Sequence, residues 1–140
     1  MKRYEFMPHT GEAKFRAYGS TLGEAFGNAA VALASLMYDP DAVAETGSRE
    51  VRVGGRDLQR LLLRFLEEVL FLAETGVFLT AGFDSLEMEE SAEGYSLAAG
   101  LRGTSSTEDC QFHGEVKAIT YSEMKVEDGE SPFVQVVVDV

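Results

Sequence analysis

Leu86-Glu87-Met88-Glu89-Glu90-Ser91-Ala92-Glu93-Gly94-Tyr95-Ser96-Leu97-Ala98-Ala99-Gly100-Leu101 decides the fold class. Leu86 and Met88 alternate with Glu87 and Glu89. Tyr95, Leu97, Ala99 and Leu101 alternate with smaller or polar residues after Ala92-Glu93-Gly94. Period-two alternation is the mark of a half-buried strand, and a connection this short joins neighbours that run antiparallel. Working outward, Val77 to Phe83 is an apolar run that reads as a further strand. Glu115 to Val126 and Phe133 to Val140 make a final pair, joined by Glu127-Asp128-Gly129-Glu130-Ser131-Pro132. The second half is therefore β-rich with short β–β connections.

The first half carries the helices. Tyr4-Glu5-Phe6 and Ala13-Lys14-Phe15-Arg16-Ala17-Tyr18 read as a strand pair around the polar turn Pro8-His9-Thr10-Gly11-Glu12. Thr21-Leu22-Gly23-Glu24 has the capping-box pattern, in which Thr21 accepts a first-turn N–H and Glu24 reaches back to the cap residue. Leu22, Ala25, Phe26, Ala29, Leu33, Leu36 and Met37 then form one apolar helical stripe, ended by Asp39-Pro40-Asp41. Val51-Arg52-Val53 is a brief strand and Gly54-Gly55 a turn. Asp57 caps a second helix running to about Glu74, with Gly76 as its left-handed exit. Ten apolar residues from Leu58 to Leu72 cover more than one stripe of it, so it reads as the central buried helix, a partner-binding face being the alternative. Strands and helices do not alternate strictly. The expected class is α+β, one domain over residues 1–140, with two helices on one face of a mostly antiparallel curved sheet.

Composition narrows the function. The chain has 140 residues, 45% of them hydrophobic, which suits one core. No apolar run reaches the roughly 18 residues of a membrane span, and the opening Met1-Lys2-Arg3-Tyr4-Glu5-Phe6 lacks a signal-peptide pattern. Cys110 is the only cysteine, which fits a reducing compartment. A cytoplasmic, membrane-free protein is expected. Acidic residues outnumber basic ones 24 to 12. A field of that sign opposes strong direct nucleic-acid binding and favours a basic protein surface or a hard cation. Lys14, Arg16, Arg49, Arg52, Arg56, Arg60 and Arg64 could form a local basic patch, although solvated charges on an acidic surface are the plainer reading.

The usual catalytic signatures are missing. There is no Gly-rich phosphate loop, dinucleotide fingerprint, zinc cysteine pair, His-Glu-x-x-His helix or Gly-x-Ser-x-Gly elbow. Cys110 and His113 lack a third supporting group and read as incidental. In the terminal strand, Val134, Val136 and Val138 share one face, and Phe133, Gln135, Val137 and Asp139 the other. Asp139 reads either as a carboxylate projecting into solvent at a fraying end or as one that is paired or metal-bound. Lys117 lies in a strand expected to be largely buried, and His9-Thr10-Gly11-Glu12 directly precedes a core strand.

Together these segments resemble the archease family. Phe6-x-x-His9-Thr10-Gly11-Glu12 is similar to its Asp-His-Thr-Ala-Asp opening. Arg16-Ala17-Tyr18-Gly19-x-Thr21-Leu22-x-Glu24-Ala25-Phe26-x-Asn28-Ala29-Ala30 is similar to the following strand and helix. Asp57-Leu58-x-x-Leu61-Leu62 sits where its second helix begins. Val116-Lys117-Ala118-Ile119-Thr120-Tyr121 and Gln135-Val136-Val137-Val138-Asp139-Val140 resemble its late strands. Pro8 and Glu12 stand where that opening has aspartates, and Ser122 where many members have histidine.

The resemblance implies a small α+β fold of strand-helix-strand-strand modules. It implies a non-enzymatic accessory protein that activates an RtcB-type tRNA-splicing RNA ligase, promoting its guanylylation and multiple turnover. It also implies a divalent metal site, with Ca²⁺ first and Mg²⁺ or Mn²⁺ as alternatives, at Glu12, Asp139 and Val140. His9, Thr10 and Lys117 would be the partner-facing or functional residues, and no residue is catalytic. A chaperone-like specificity factor for another RNA-processing enzyme, such as a tRNA methyltransferase, is the alternative. A metal-dependent hydrolase using Glu12 and Asp139 is disfavoured because no general base or nucleophile stands beside them.

Overall fold

The fold is seen in a computed structural model that describes residues 2–140. In chain order the elements are β1 (Tyr4–Met7), β2 (Ala13–Tyr18), α1 (Leu22–Ser35), β3 (Gly47–Gly55), α2 (Leu58–Glu74), β4 (Leu79–Ser91), β5 (Gly94–Thr104), β6 (Ala118–Glu127) and β7 (Phe133–Asp139), with 3-10 turns at Pro40–Ala42 and Thr107–Asp109. The class is α+β with antiparallel pairing throughout, as expected. The strands divide between two sheets, however, ordered β1-β2-β7-β6 and β3-β5-β4. Each helix packs against both sheets, so the pair is held between them and not laid on one curved face.

Local chemistry explains most boundaries. Thr21 Oγ1 accepts the Glu24 N–H at 3.1 Å, and Glu24 Oε1 accepts the Ser20 N–H at 2.9 Å. The reciprocal bond of the capping box thus falls one residue before the cap. Asp57 Oδ1 accepts the Arg60 N–H at 2.8 Å and opens α2. Gly76, at φ 70, supplies the left-handed exit beyond its end.

The burial of the helices reverses the reading from periodicity. Every residue of α1 from Ala25 to Ala34 is buried, whereas α2 keeps Arg64, Glu67, Phe71 and Glu74 exposed. The reason is size. Alanines and Gly27 make α1 thin enough for a sheet to close on each side, and an added Cβ on Gly27 would lie 2.4 Å from the Phe83 ring. The bulkier α2 buries Leu61, Leu62, Phe65, Leu66 and Val69 on one broad side.

Two strands also differ from expectation. The run expected from Val77 to Phe83 begins its strand only at Leu79, and it joins Leu86–Glu89 in a single strand, β4, because bulges between Thr80 and Gly82 and between Phe83 and Ser85 reset the pleat without ending the pairing. The brief strand at Val51–Val53 extends from Gly47 to Gly55 because it pairs along its whole length with β5.

Gly103, opposite Thr80 at the first bulge, has no room for a side chain: an added Cβ would lie 1.8 Å from the Leu79 carbonyl oxygen. Gly103→Ala should lower the unfolding free energy by about 3 kcal/mol, read as a lower urea midpoint at unchanged slope. Gly129→Ala, with nothing within 4 Å, should change stability by less than about 0.5 kcal/mol.

Candidate functional site

The four-stranded sheet positions the candidate residues. Phe15 pairs with Val136 and Ala17 with Val134, and these four fully buried residues form its inner face. Lys14, Arg16 and Tyr18 of β2 therefore share the outer face with Val137, Gln135 and Phe133 of β7. The ladder ends at Ala13–Val138. Glu12 and Asp139, one step further along their chains, flank that same end although 127 positions separate them in sequence (139 − 12). On the other side of β7, Ala118 pairs with Asp139, and the Lys117 N–H donates to the Asp139 carbonyl at 2.8 Å. Glu12, Asp139 and Lys117 thus occupy one end of three neighbouring strands, with Asp139 in the middle.

His9 joins this end through the β1–β2 turn. Its Nδ1 lies 3.4 Å from Glu12 Oε1, and its Nε2 lies 2.9 Å from Glu123 Oε2. Thr10 and Val140 are exposed beside it. The side chain of Asp139 is half-buried and has no hydrogen-bond or ion-pair partner among the described residues. Lys117 departs from its expected burial. It precedes β6 instead of lying within it, is exposed, and lines a cleft of about 670 Å³ with Met37, Gly76, Phe112 and Val116. Its neighbour Val116 is buried in its stead.

The residue that the sequence reading missed is Glu123. Its Oε1 accepts from Lys14 Nζ at 3.0 Å while Oε2 faces His9. Its carbonyl accepts from Gln135 Nε2 at 2.7 Å, and Gln135 Oε1 accepts from Arg16 Nε at 2.9 Å. Arg16 in turn sits 4.7 Å above the Phe133 ring. This network is possible because β6 bulges: Thr120 pairs with Val137 but Lys125 with Gln135, leaving three extra residues in β6. The signal was present in the sequence. The apolar positions are odd-numbered at Ile119 and Tyr121 but even-numbered at Met124 and Val126, a phase change that an odd insertion produces.

The oxygen donors at Glu12, Asp139 and the Val140 main chain fit a hard cation in chemistry. Among the described residues no group of three or more His, Cys, Asp or Glu side chains is placed to hold a metal ion. Two carboxylates would need main-chain oxygens and water to complete a coordination shell, and His9 beside Glu12 would have to give way or turn. The proposed basic patch is not one surface. Lys14 and Arg16 are committed to Glu123 and Gln135, whereas Arg52 pairs with Glu50 on the other sheet.

Comparison with known proteins decides the family. Residues 4–140 match the Archease protein family along almost the whole chain. The chain belongs to the archease family. A protein archease of Methanosarcina acetivorans is 37% identical, with 99% of this chain and 97% of the relative covered. That of Pyrococcus abyssi is 38% identical, with 91% and 89% covered. The solution structure of Methanobacterium thermoautotrophicum protein 1598 superposes over the full length of both chains with a TM-score of 0.85 at 32% identity. Among the described residues no helix is long and apolar enough to cross a membrane.

The hydrogen bond from His9, then that from Lys14, hold the Glu123 carboxyl below its ordinary value of 4.5. A carboxyl depressed in the folded state stabilises the fold at pH values above its unfolded-state value, and that contribution is lost as pH falls through the folded-state value. Glu123→Gln should therefore lower the melting temperature at pH 7. The gap from the parent protein should close as the pH is taken well below 4.5. Thermal melts of both proteins across that range check it.

Proposed function

We propose that this protein is an accessory factor that activates an RtcB-type tRNA-splicing RNA ligase, promoting its guanylylation and repeated turnover. The observation that carries the reading is the row of Glu12, Asp139 and Lys117 at one end of β2, β7 and β6, in a chain of the archease family. These are the residues that the family resemblance marks, and the sheet register gathers them from the two ends of the chain.

The chemistry of that end suits contact with an active site better than catalysis within this chain. Lys117 offers an exposed ammonium beside a cleft, and Asp139 an unpaired carboxylate one strand away. Neither side chain has a hydrogen-bond or ion-pair partner among the described residues. The overall charge of −12 favours approach to a basic protein surface and opposes hold on an RNA backbone. A divalent cation held by Glu12, Asp139 and the Val140 main chain would add positive charge where nucleotide phosphates gather. The Lys117 ammonium would lie beside it and orient the approach.

Single-turnover formation of the ligase–GMP adduct tests this. With a purified cognate ligase, substoichiometric amounts of the protein should raise the rate. Lys117→Ala and Asp139→Ala should lose most of that acceleration while melting within a few degrees of the parent. Equal rates with and without the protein would overturn the reading. The cation is tested separately. Millimolar calcium should raise the melting temperature through binding to the folded state alone, and Asp139→Asn should abolish most of that rise. An unchanged melt would remove the cation from the account.

A further inference from the structure

Glu123 has a backbone that needs an explanation. It is the one non-glycine residue with positive φ among the described residues, at 53°. Single residues reach the left-handed region at a steric cost, and they persist there when surrounding contacts over-determine them. Several contacts hold it there. The bulge carries Glu123 from the edge strand β6 across the outer face of β7, whose Val137 and Gln135 are buried beneath it although they point away from the core. Gln135 Nε2 holds the Glu123 carbonyl from below. Beyond β7, one carboxylate oxygen meets Lys14 on β2 and the other meets His9 in the turn. His9 faces Glu12 with its second nitrogen.

We propose that Glu123 is a positioning residue: through His9 and Lys14 it clamps the turn at residues 8–12 to the outer face of the sheet. It thereby holds the turn that carries Glu12 at the end of the sheet where Asp139 also lies. Lys14, Glu123 and His9 form a hydrogen-bonded chain, and Glu12 lies at its far end, with Oε1 3.4 Å from the His9 Nδ1 and no hydrogen bond between them. Gly11, at φ 74 with nothing within 4 Å of an added Cβ, adds no packing to the turn, whose partly buried residues are His9 and Glu12. The contact of His9 with Glu123 is the side-chain hydrogen bond that ties the turn to β6. The bulge then has a purpose that pairing alone does not give it. A regular β6 would keep residue 123 in the ladder at the sheet edge, a strand's width short of Lys14.

The clamp itself needs no ligase, and only its consequence for activation rests on the proposed function. The experiment therefore has two arms. Glu123→Gly suits the left-handed backbone and removes the side chain, so the fold is kept while the clamp is lost. Glu123→Gln keeps a carbonyl oxygen that can accept from Lys14 or His9, and Ser122→Ala is a neighbouring control. In the first arm, ¹⁵N relaxation gives backbone order parameters. Residues 9–12 should fall from about 0.85 in the parent to below about 0.6 in Glu123→Gly. The amides of Leu97, Ala99 and Leu101 should not change, and Glu123→Gln should restore most of the order. Unchanged order at residues 9–12 in Glu123→Gly overturns the clamp. In the second arm, the acceleration of ligase guanylylation should drop about tenfold in Glu123→Gly and recover to within about threefold of the parent in Glu123→Gln. Full acceleration by Glu123→Gly, with the turn shown to be loosened, overturns the positioning role. Failure of the parent protein to accelerate the ligase removes the proposed function and leaves the first arm to decide the clamp alone.

Discussion

The pairing of β2 with β7 is the constraint on which the molecule depends. It joins residues 13–18 to residues 133–138 in six consecutive antiparallel partners. Its inner face supplies Phe15, Ala17, Val134 and Val136 to the core, all fully buried. α1 packs on that face, and its thinness lets β4 close on the opposite side. The same register decides which residues meet at the ladder's end. A slip of one residue would turn the valines of β7 outward and carry Asp139 to the core face. Core and candidate site are thus specified by one alignment, and the cost of misregister is the loss of several buried valines at roughly 1.5–3 kcal/mol each.

What the sequence made legible follows from which interactions are local. The caps at Thr21 and Asp57, the exit at Gly76 and the turn at Gly94 each depend on a few neighbouring residues, and each lies where the pattern places it. The division into two sheets was not legible, because alternation shows that a strand has an inner face without showing which layer it faces. The relative burial of the helices was misread for a related reason. Count and hydrophobicity of apolar residues favoured α2, whereas small size gave α1 the central place. The two bulges of β4 made one strand look like two, since a pleat reset and a strand end leave the same break in the alternation.

The candidate site was legible in part. His9, Glu12, Lys117 and Asp139 stood out as polar residues at the margins of core strands, and the family resemblance marked them as one set. Lys117 was expected inside a strand, yet it lies one residue before β6, where its main chain bonds Asp139 and its side chain is free for the cleft. Glu123 was overlooked because its importance is tertiary. Nothing within a few residues of it announces a partner in the first hairpin, and only the phase change across Tyr121 to Met124 marks the bulge that takes it there. The polar groups of this end are held by side chains from β1–β2, β6 and β7 together, so no single segment could reveal them.

The central claim is that this one end of the β1-β2-β7-β6 sheet is the face that meets the ligase. The most direct test is site-specific photo-crosslinking to a purified cognate ligase. The photoreactive side chain is placed in turn at two exposed positions, Thr10 in the β1–β2 turn and Ser131 in the β6–β7 connection at the other end of the same sheet. Capture of the ligase from position 10 and not from position 131 is the result that the account predicts. Capture from position 131 alone, or from neither position under conditions where guanylylation is accelerated, would contradict it.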